Sequence, residues 1–420
     1  MQTRNLIKPS TPKIPRSARG YHSLLGSLFS GIVLSACLAG SAFAADWPHY
    51  RGPKMDGSTA EALAPWSADG PKELWRVQVG TGCASMTVVG DRLFTAGYRD
   101  GKEVVQCLDA ATGKPIWSHG WEAKIGDYLF EGGPRATPTI DGGRLYMVGS
   151  EGHVVCLEAA TGKPVWTKHL VKDFGAKYMD WGFSSSPTID GERVLIDAGS
   201  TIALNKATGA TLWKSGDDQP GYGSIVVGVV DGKKTAVAFT ASGLVGSEAS
   251  SGKPLWKFAW ETSWKINAMT PLIVDDLVVF SSAYNHGAAA VRVKGGEASR
   301  VWFSKDLFAH FNTPVHHNGA LFGIDGEVGK RSALVCMDVK TGDEKWRARN
   351  VKNGSLILAA DKLLILTEVG ELVLADASAA AFKELAPRKK VLPGRCWVQP
   401  VLANGVVYCR NNSGELVALR

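Results

Sequence analysis

One eleven-residue pattern recurs along this chain and limits what it can fold into. It reads Cys156-Leu-Glu-Ala-Ala-Thr-Gly-Lys-Pro-Val-Trp166: a short apolar strand, a tight turn on Thr161-Gly162, and a second strand that opens on a tryptophan. The pattern returns over Cys107–Trp117, Ala203–Trp213 and Cys336–Trp346, with looser copies ending at Trp256 and Trp302. Seen once, its Cys, Glu, Lys and Trp would look like a reactive cluster. Recurrence assigns them to architecture instead. Cys107, Cys156 and Cys336 become small buried hydrophobes, Gly162 a turn residue, Lys163 a solvated charge, and Trp166 a flat apolar surface for the neighbouring unit.

Each unit carries a second landmark, an apolar strand that turns tightly into another strand. Pro138-Thr-Ile-Asp-Gly-Gly-Arg-Leu-Tyr146 and Pro187-Thr-Ile-Asp-Gly-Glu-Arg-Val-Leu195 are the clearest, with others from Pro271, Pro314 and Pro400 and less regular ones from Thr87, Val227 and Ile357. Asp-Gly and Asn-Gly provide the positive φ of two-residue hairpins, and proline is tolerated at the first residue of a strand. Two hairpins per unit, at a period of about 36 to 49 residues, predict an all-β, eight-bladed β-propeller of four-stranded antiparallel blades. The ends agree. Gly414–Arg420 is a third strand with no successor, and Lys72–Gln78, which holds Trp75, is a fourth strand with no predecessor. Paired, they complete a blade and leave no open edge.

The basic balance of +7 is misleading. Arg4, Lys8, Lys13, Arg16 and Arg19 precede an apolar run over Leu24–Leu38, and without them the net charge is about +2, too little for a nucleic-acid field. Basic residues, that short run and Ala42-Phe43-Ala44 predict a signal peptide over 1–44, cleaved before Ala45. Leu34-Ser35-Ala36-Cys37 also fits lipidation at Cys37, and an uncleaved anchor is the third possibility. Each of them exports the protein, to the periplasm or beyond, or onto the outer membrane if lipidated. No later segment is predicted to span a membrane. Residues 45–71 form a lead-in in which Asp46-Trp-Pro-His-Tyr-Arg-Gly-Pro53 is expected to act as an aromatic plug with a structural Arg51, and 72–420 form the propeller.

The seven cysteines show no metal-like spacing. Cys83 and Cys396 align in blades one and eight, where a disulfide would lock the ring if their Cα atoms came within reach. His316-His317 point to opposite faces of a strand and find no third ligand, so no metal is expected. Candidate ligand contacts come from the loops leading into the blades, which converge on the channel mouth. Arg135 is the strongest, as a donor to an anionic or carbonyl group, with an ion pair to Glu131 or a neighbour as its structural alternative. Trp181, His310 and Trp397 join it. No local catalytic motif is present.

The repeats resemble the PQQ-like, quinoprotein-type propeller family, whose docking motif is Ala-x-Asp-x-x-Thr-Gly-x-x-x-Trp. Residues 203–213 match with Asn205 for Asp, and the three other copies carry Cys in the Ala position. The units ending at Trp302 and around Phe382 depart from it. The recurring tryptophans are Trp75, Trp117, Trp166, Trp213, Trp256, Trp302 and Trp346. The resemblance implies an eight-bladed fold and two branches of function. In one, PQQ-dependent alcohol or sugar dehydrogenases hold a quinone beside calcium on the axis, against a disulfide between adjacent cysteines that this chain lacks. In the other, a noncatalytic lipoprotein serves the outer-membrane β-barrel assembly machinery. The expectation is therefore a monomeric binding or scaffold propeller without a cofactor, engaging an envelope protein or small ligand. A PQQ-linked oxidoreductase with calcium is the alternative.

Overall fold

A computed structural model describes residues 45–126, 129–327 and 329–420. The proposed signal peptide and Cys37 lie outside the described residues. Eight antiparallel sheets carry the chain. Blade 1 is formed by Thr87–Val89, Arg92–Arg99, Lys102–Asp109 and Pro115–Glu122. Blades 2 to 6 repeat this order, beginning at the inner strands Thr139–Asp141, Thr188–Asp190, Val226–Val230, Leu272–Val274 and Val315–His317. Asn318-Gly319 and Asn404-Gly405 hold both turn residues at positive φ, as two-residue hairpins require. One short helix, Leu170–Phe174, interrupts the strands among the described residues. No helix among them is long and apolar enough to cross a membrane.

The recurring motif now has a mechanical explanation. Trp117, Trp166, Trp213 and Trp346 each pair across the hairpin with the small first residue of the motif, Cys107, Cys156, Ala203 and Cys336. A bulge in each strand follows and turns the indole toward the next blade. There it lies on the glycine of the neighbour's Thr-Gly turn: a Cβ on Gly162 would stand 2.5 Å from Trp117, and one on Gly209 2.7 Å from Trp166. Gly162 thus serves twice, supplying a φ of 72° and clearing space for the ring. The indole N–H then donates to a carbonyl of the same turn, as in Trp75 to Ala110 at 3.0 Å, Trp117 to Ala159 at 3.0 Å and Trp302 to Val339 at 2.9 Å. Trp213 lies on Gly252 in the same way, yet it and Trp256 leave Nε1 without a partner among the described residues.

The ring closes as the sequence implies, with Glu73–Gln78 antiparallel to Glu415–Leu419. Arg410 fastens the seam. It is fully buried and donates to the carbonyls of Ala84, Ala96 and Gly80 and to the Thr95 hydroxyl. The Cys83–Cys396 bridge, by contrast, is not formed. Cys396 carries a free thiol and is turned into the apolar core of the closure, while Cys83 lines the axial cavity. Cys107, Cys156 and Cys336 are all buried in apolar surroundings. Blade 7 is the irregular one. Its fourth strand shrinks to Lys389–Lys390, and Ser58–Thr59 from the lead-in adds in parallel to its inner strand, Gly354–Ala359.

That lead-in crosses the axis. Trp47 pairs with Val88 of blade 1, Pro48 accepts from Ile140 of blade 2, and Gly57 accepts from Leu358 of blade 7. Between these points Arg51 is buried at a φ of 66° and donates to the carbonyls of Thr313 (3.0 Å), Pro314 (2.8 Å) and Asp56 (2.7 Å). A guanidinium whose two terminal nitrogens are held by backbone acceptors is a structural clamp, and the adjoining Tyr50 lines the axial cavity.

Candidate functional site

Just before each inner strand the chain places a hydroxyl or amide: Ser85, Thr137, Ser186, Ser224, Thr270, Thr313, Ser355 and Gln399, in blade order. These groups form a belt. The backbone N–H of Ser85 donates to the Thr137 hydroxyl (3.0 Å), Thr137 to Ser186 (2.9 Å), Ser186 to Ser224 (2.9 Å), Ser224 to Thr270 (3.0 Å) and Thr270 to Thr313 (3.1 Å). Each blade is thereby tied to the next around the axis, where backbone groups facing a channel would otherwise lack partners. Across blades 7 and 8 the belt changes form. Gln399 Nε2 donates to the Leu356 carbonyl, and the Ser355 hydroxyl donates to that of Trp397.

The belt and Tyr50 line a cavity of about 390 Å³ on the axis. The structure brings Arg135, Trp181, His310 and Trp397 together in its wall. An aromatic collar surrounds the opening. Ring contacts run without a break from Trp181 to Phe130 (6.0 Å between centroids), Trp397 (4.8 Å), Phe311 (4.9 Å), His310 (5.2 Å) and Tyr284 (5.1 Å). Tyr222 also lines the cavity. Tyr284 and Asn285 both adopt positive φ, 57° and 63°, in the connection that turns the Tyr284 ring inward. Such paired left-handed residues other than glycine are costly and concentrate at sites.

Charge at the cavity is largely compensated. Glu131 pairs with Arg395 and not with Arg135: it accepts two bonds from Arg395 (2.8 and 2.9 Å) and one from Asn412 (3.1 Å). Burial opposes its ionisation, but these bonds hold the carboxyl below its ordinary range. Arg395 in turn stacks over Phe130 and Trp397, 5.0 Å from each ring. Arg135 donates to the Trp181 carbonyl at 2.8 Å, so it braces one side of the collar. Glu327 pairs with Lys330 at 2.9 Å and accepts from the Tyr284 backbone. His310 shares a 2.8 Å hydrogen bond with the Tyr284 hydroxyl, and burial pushes its imidazole down to about 4. The same cause raises Tyr284 and Tyr222 to about 12, so all three rings are neutral near pH 7.

Polar atoms in this wall remain unmatched. Asn312 lines the cavity at 2 % exposure, and neither its Oδ1 nor its Nδ2 finds a partner among the described residues. Ser184 Oγ, Trp397 Nε1 and His310 Nδ1 share that condition. Other mouth candidates from the same sequence columns play structural parts. Asn267 is buried and bonded to the Thr240 and Trp260 carbonyls and to Ser282. Asp325 holds Arg347 and the Phe308 N–H. Trp264 projects from the rim at 71 % exposure. Sequence reasoning missed Asn312, Ser184, Tyr284, Tyr222 and the belt, although the hydroxyl at a fixed offset before the inner strands was a usable signal.

Fold and site together define a quinoprotein-type propeller with a capped axial cavity. The chain belongs to the family described as outer membrane protein assembly factor BamB, whose model matches residues 101–348. No curated protein matches it in sequence. Among solved structures it is similar to BamB from Moraxella catarrhalis, at 15 % identity and a TM-score of 0.62, covering 84 % of this chain and 98 % of that one. It is similar to the quinohemoprotein alcohol dehydrogenase from Comamonas testosteroni at 13 % and 0.63, covering 89 % and 80 %. A europium-containing methanol dehydrogenase gives 12 % and 0.60, with 89 % of each chain covered. At these identities the structural likeness speaks for the fold alone.

The cavity's donor set does not suit a quinone with calcium. Glu327 is the one carboxylate among its described lining residues and is already engaged by Lys330, and calcium requires six or more oxygen ligands. Among the described residues no three His, Cys, Asp or Glu side chains are grouped to hold a metal.

Proposed function

We propose that this is an exported, noncatalytic binding propeller of the cell envelope, acting in outer-membrane protein assembly through its loop-rich face. Family membership supports the setting. The observation that carries the binding reading is the axial cavity itself, a collar of neutral rings over a hydroxyl belt, with the carboxylates at its mouth held by cations. In this reading the protein works in the periplasm, on the outer membrane if Cys37 is lipidated, and the mass of the mature N-terminus separates the two.

The rim offers handles for a direct test. Tyr178 and Trp264 are exposed at the edge of the mouth. A photo-crosslinking residue at either position should capture a component of the β-barrel assembly machinery in cells. Consistent absence of such adducts contradicts the assembly role. Adding PQQ and Ca²⁺ to purified protein with an alcohol or sugar and a redox dye should give no turnover, and quinone-dependent dye reduction would replace the binding reading with the oxidoreductase one.

A further inference from the structure

The cavity's chemistry narrows what it can hold, given the reading of it as a noncatalytic binding site. Three features act together. Its opening is ringed by aromatic side chains, whose faces accept the C–H surfaces of a ring ligand. Its wall holds a carboxamide, Asn312, that offers one acceptor and two donor hydrogens with no protein partner among the described residues. Its base supplies hydroxyls with spare donors. Ser186 and Ser224 each spend a lone pair on a backbone N–H of the belt, and neither O–H has an acceptor among the described residues. Ser184 adds a hydroxyl with no partner among the described residues.

We propose that the axial cavity is a binding site for a neutral saccharide, one or two pyranose rings entering past the collar. The class follows from the pairing of flat apolar surfaces with groups that both donate and accept. A hydroxylated ring has apolar faces and a polar edge that alternates the same two roles. A strongly anionic ligand finds no such match. Glu131 and Glu327 stand at the mouth, and Arg135 is turned toward the Trp181 carbonyl. A purely apolar ligand would leave Asn312 and Ser184 unmatched, at about 1–3 kcal/mol for each unsatisfied group. The volume agrees. About 390 Å³ equals roughly 13 waters at ~30 Å³ each, space for one ring with its hydroxyls or a compact disaccharide. The Asn312 and Ser184 polar atoms lie just under the cavity surface, so the sugar would engage them through a side-chain rotation of Asn312.

The lead-in closes the base through Tyr50, which lines the cavity. The site therefore takes a free sugar or the terminal ring of a glycan chain, and not the middle of a chain threaded through.

The test is a titration of the mature protein, followed by tryptophan fluorescence and calorimetry. The probes are glucose, N-acetylglucosamine, cellobiose and chitobiose, with glucuronate as the charged counterpart of glucose. At least one uncharged probe should bind saturably, at least tenfold more tightly than glucuronate. Asn312→Leu and Trp397→Ala, each with a folded circular-dichroism spectrum, should weaken binding tenfold or more, and Trp264→Ala on the outer rim should leave it unchanged. Should Trp397→Ala fail to fold, Asn312→Leu carries the test alone. Co-sedimentation with chitin and cellulose separates the sources: soluble probes alone mean a free sugar, and soluble probes plus polymer mean chain ends. The proposal is overturned if no uncharged probe saturates at millimolar concentration, if glucuronate binds as well as glucose, or if Asn312→Leu binds like the wild type. Failure here leaves the crosslinking result standing, and loss of the crosslinks leaves the titration standing, so the two readings fail separately.

Discussion

Tryptophan plays two different parts in this molecule, at the rim of the blades and at the mouth of the axis. At the rim Trp75, Trp117, Trp166, Trp302 and Trp346 are docked on the next blade with the indole N–H bonded to a carbonyl there. At the mouth Trp397 leaves its Nε1 without a partner among the described residues and stacks on Phe130, Phe311 and Arg395. Five of the seven rim indoles are satisfied in this way, and Trp213 and Trp256 leave Nε1 without a partner among the described residues. Buried polar groups without partners cost stability, and five such atoms, on Ser184, His310, Asn312 and Trp397, belong to the wall of one cavity, which makes that cavity the place to look for a ligand.

This contrast can be broken from the rim first. Trp117→Ala removes a ring that bridges two blades and should cost about 3–5 kcal/mol, read as a lower denaturant midpoint. Gly162→Ala attacks the same joint from the other side, since its Cβ would stand 2.5 Å from that indole at a φ of 72°. It should cost about 1–3 kcal/mol.

Titration gives a subtler separation. Burial holds His310 near 4 against an ordinary 6.5, so between these values the unfolded chain binds a proton that the folded chain refuses. Its contribution to stability is present above 6.5 and is lost as pH falls toward 4. Asp197 runs the other way. Burial lifts it to about 7 from 3.8, against the opposing N–H bonds of Gly199 and Gly221 and with help from the Asp218 charge. There the folded chain keeps a proton that the unfolded chain has shed, and its contribution falls as pH rises from about 4 to 7. Stability measured from pH 4 to 7 in His310→Asn should lack the first slope, and in Asp197→Asn the second.

The ring was legible because its rule is local and repeated. Thr-Gly to Trp spacing encodes a turn, a docking platform and the ring that lands on it, all within one hairpin and its neighbour. The closure was legible for a related reason, as two half-blades at opposite ends of the chain each lack the partner the other supplies. The axis followed only in part. Arg135, Trp181, His310 and Trp397 could be found by counting back from the inner strands, since several of the positions there face the channel. Asn312 and Ser184 occupy the same columns, but a buried carboxamide looks identical in sequence whether its partner is a carbonyl, as at Asn267, or absent. Pairings fixed by loop shape were also out of reach. Glu131 meets Arg395 across the closure, 264 positions away in the chain, and nothing local announces it. The proposed Cys83–Cys396 bridge failed for the same reason: aligned repeat positions share a height in the ring but do not fix which way a side chain turns.

The central claim is that the axial wall keeps unmatched polar groups for a ligand, and Asn312→Leu tests it most directly through chemical denaturation of the ligand-free protein. The substitution keeps the side chain's size and removes a carboxamide with no partner among the described residues. The account expects stability to be unchanged or to rise by about 1 kcal/mol. A loss of about 2 kcal/mol or more, the usual result of deleting a satisfied buried hydrogen-bonding group, would contradict it.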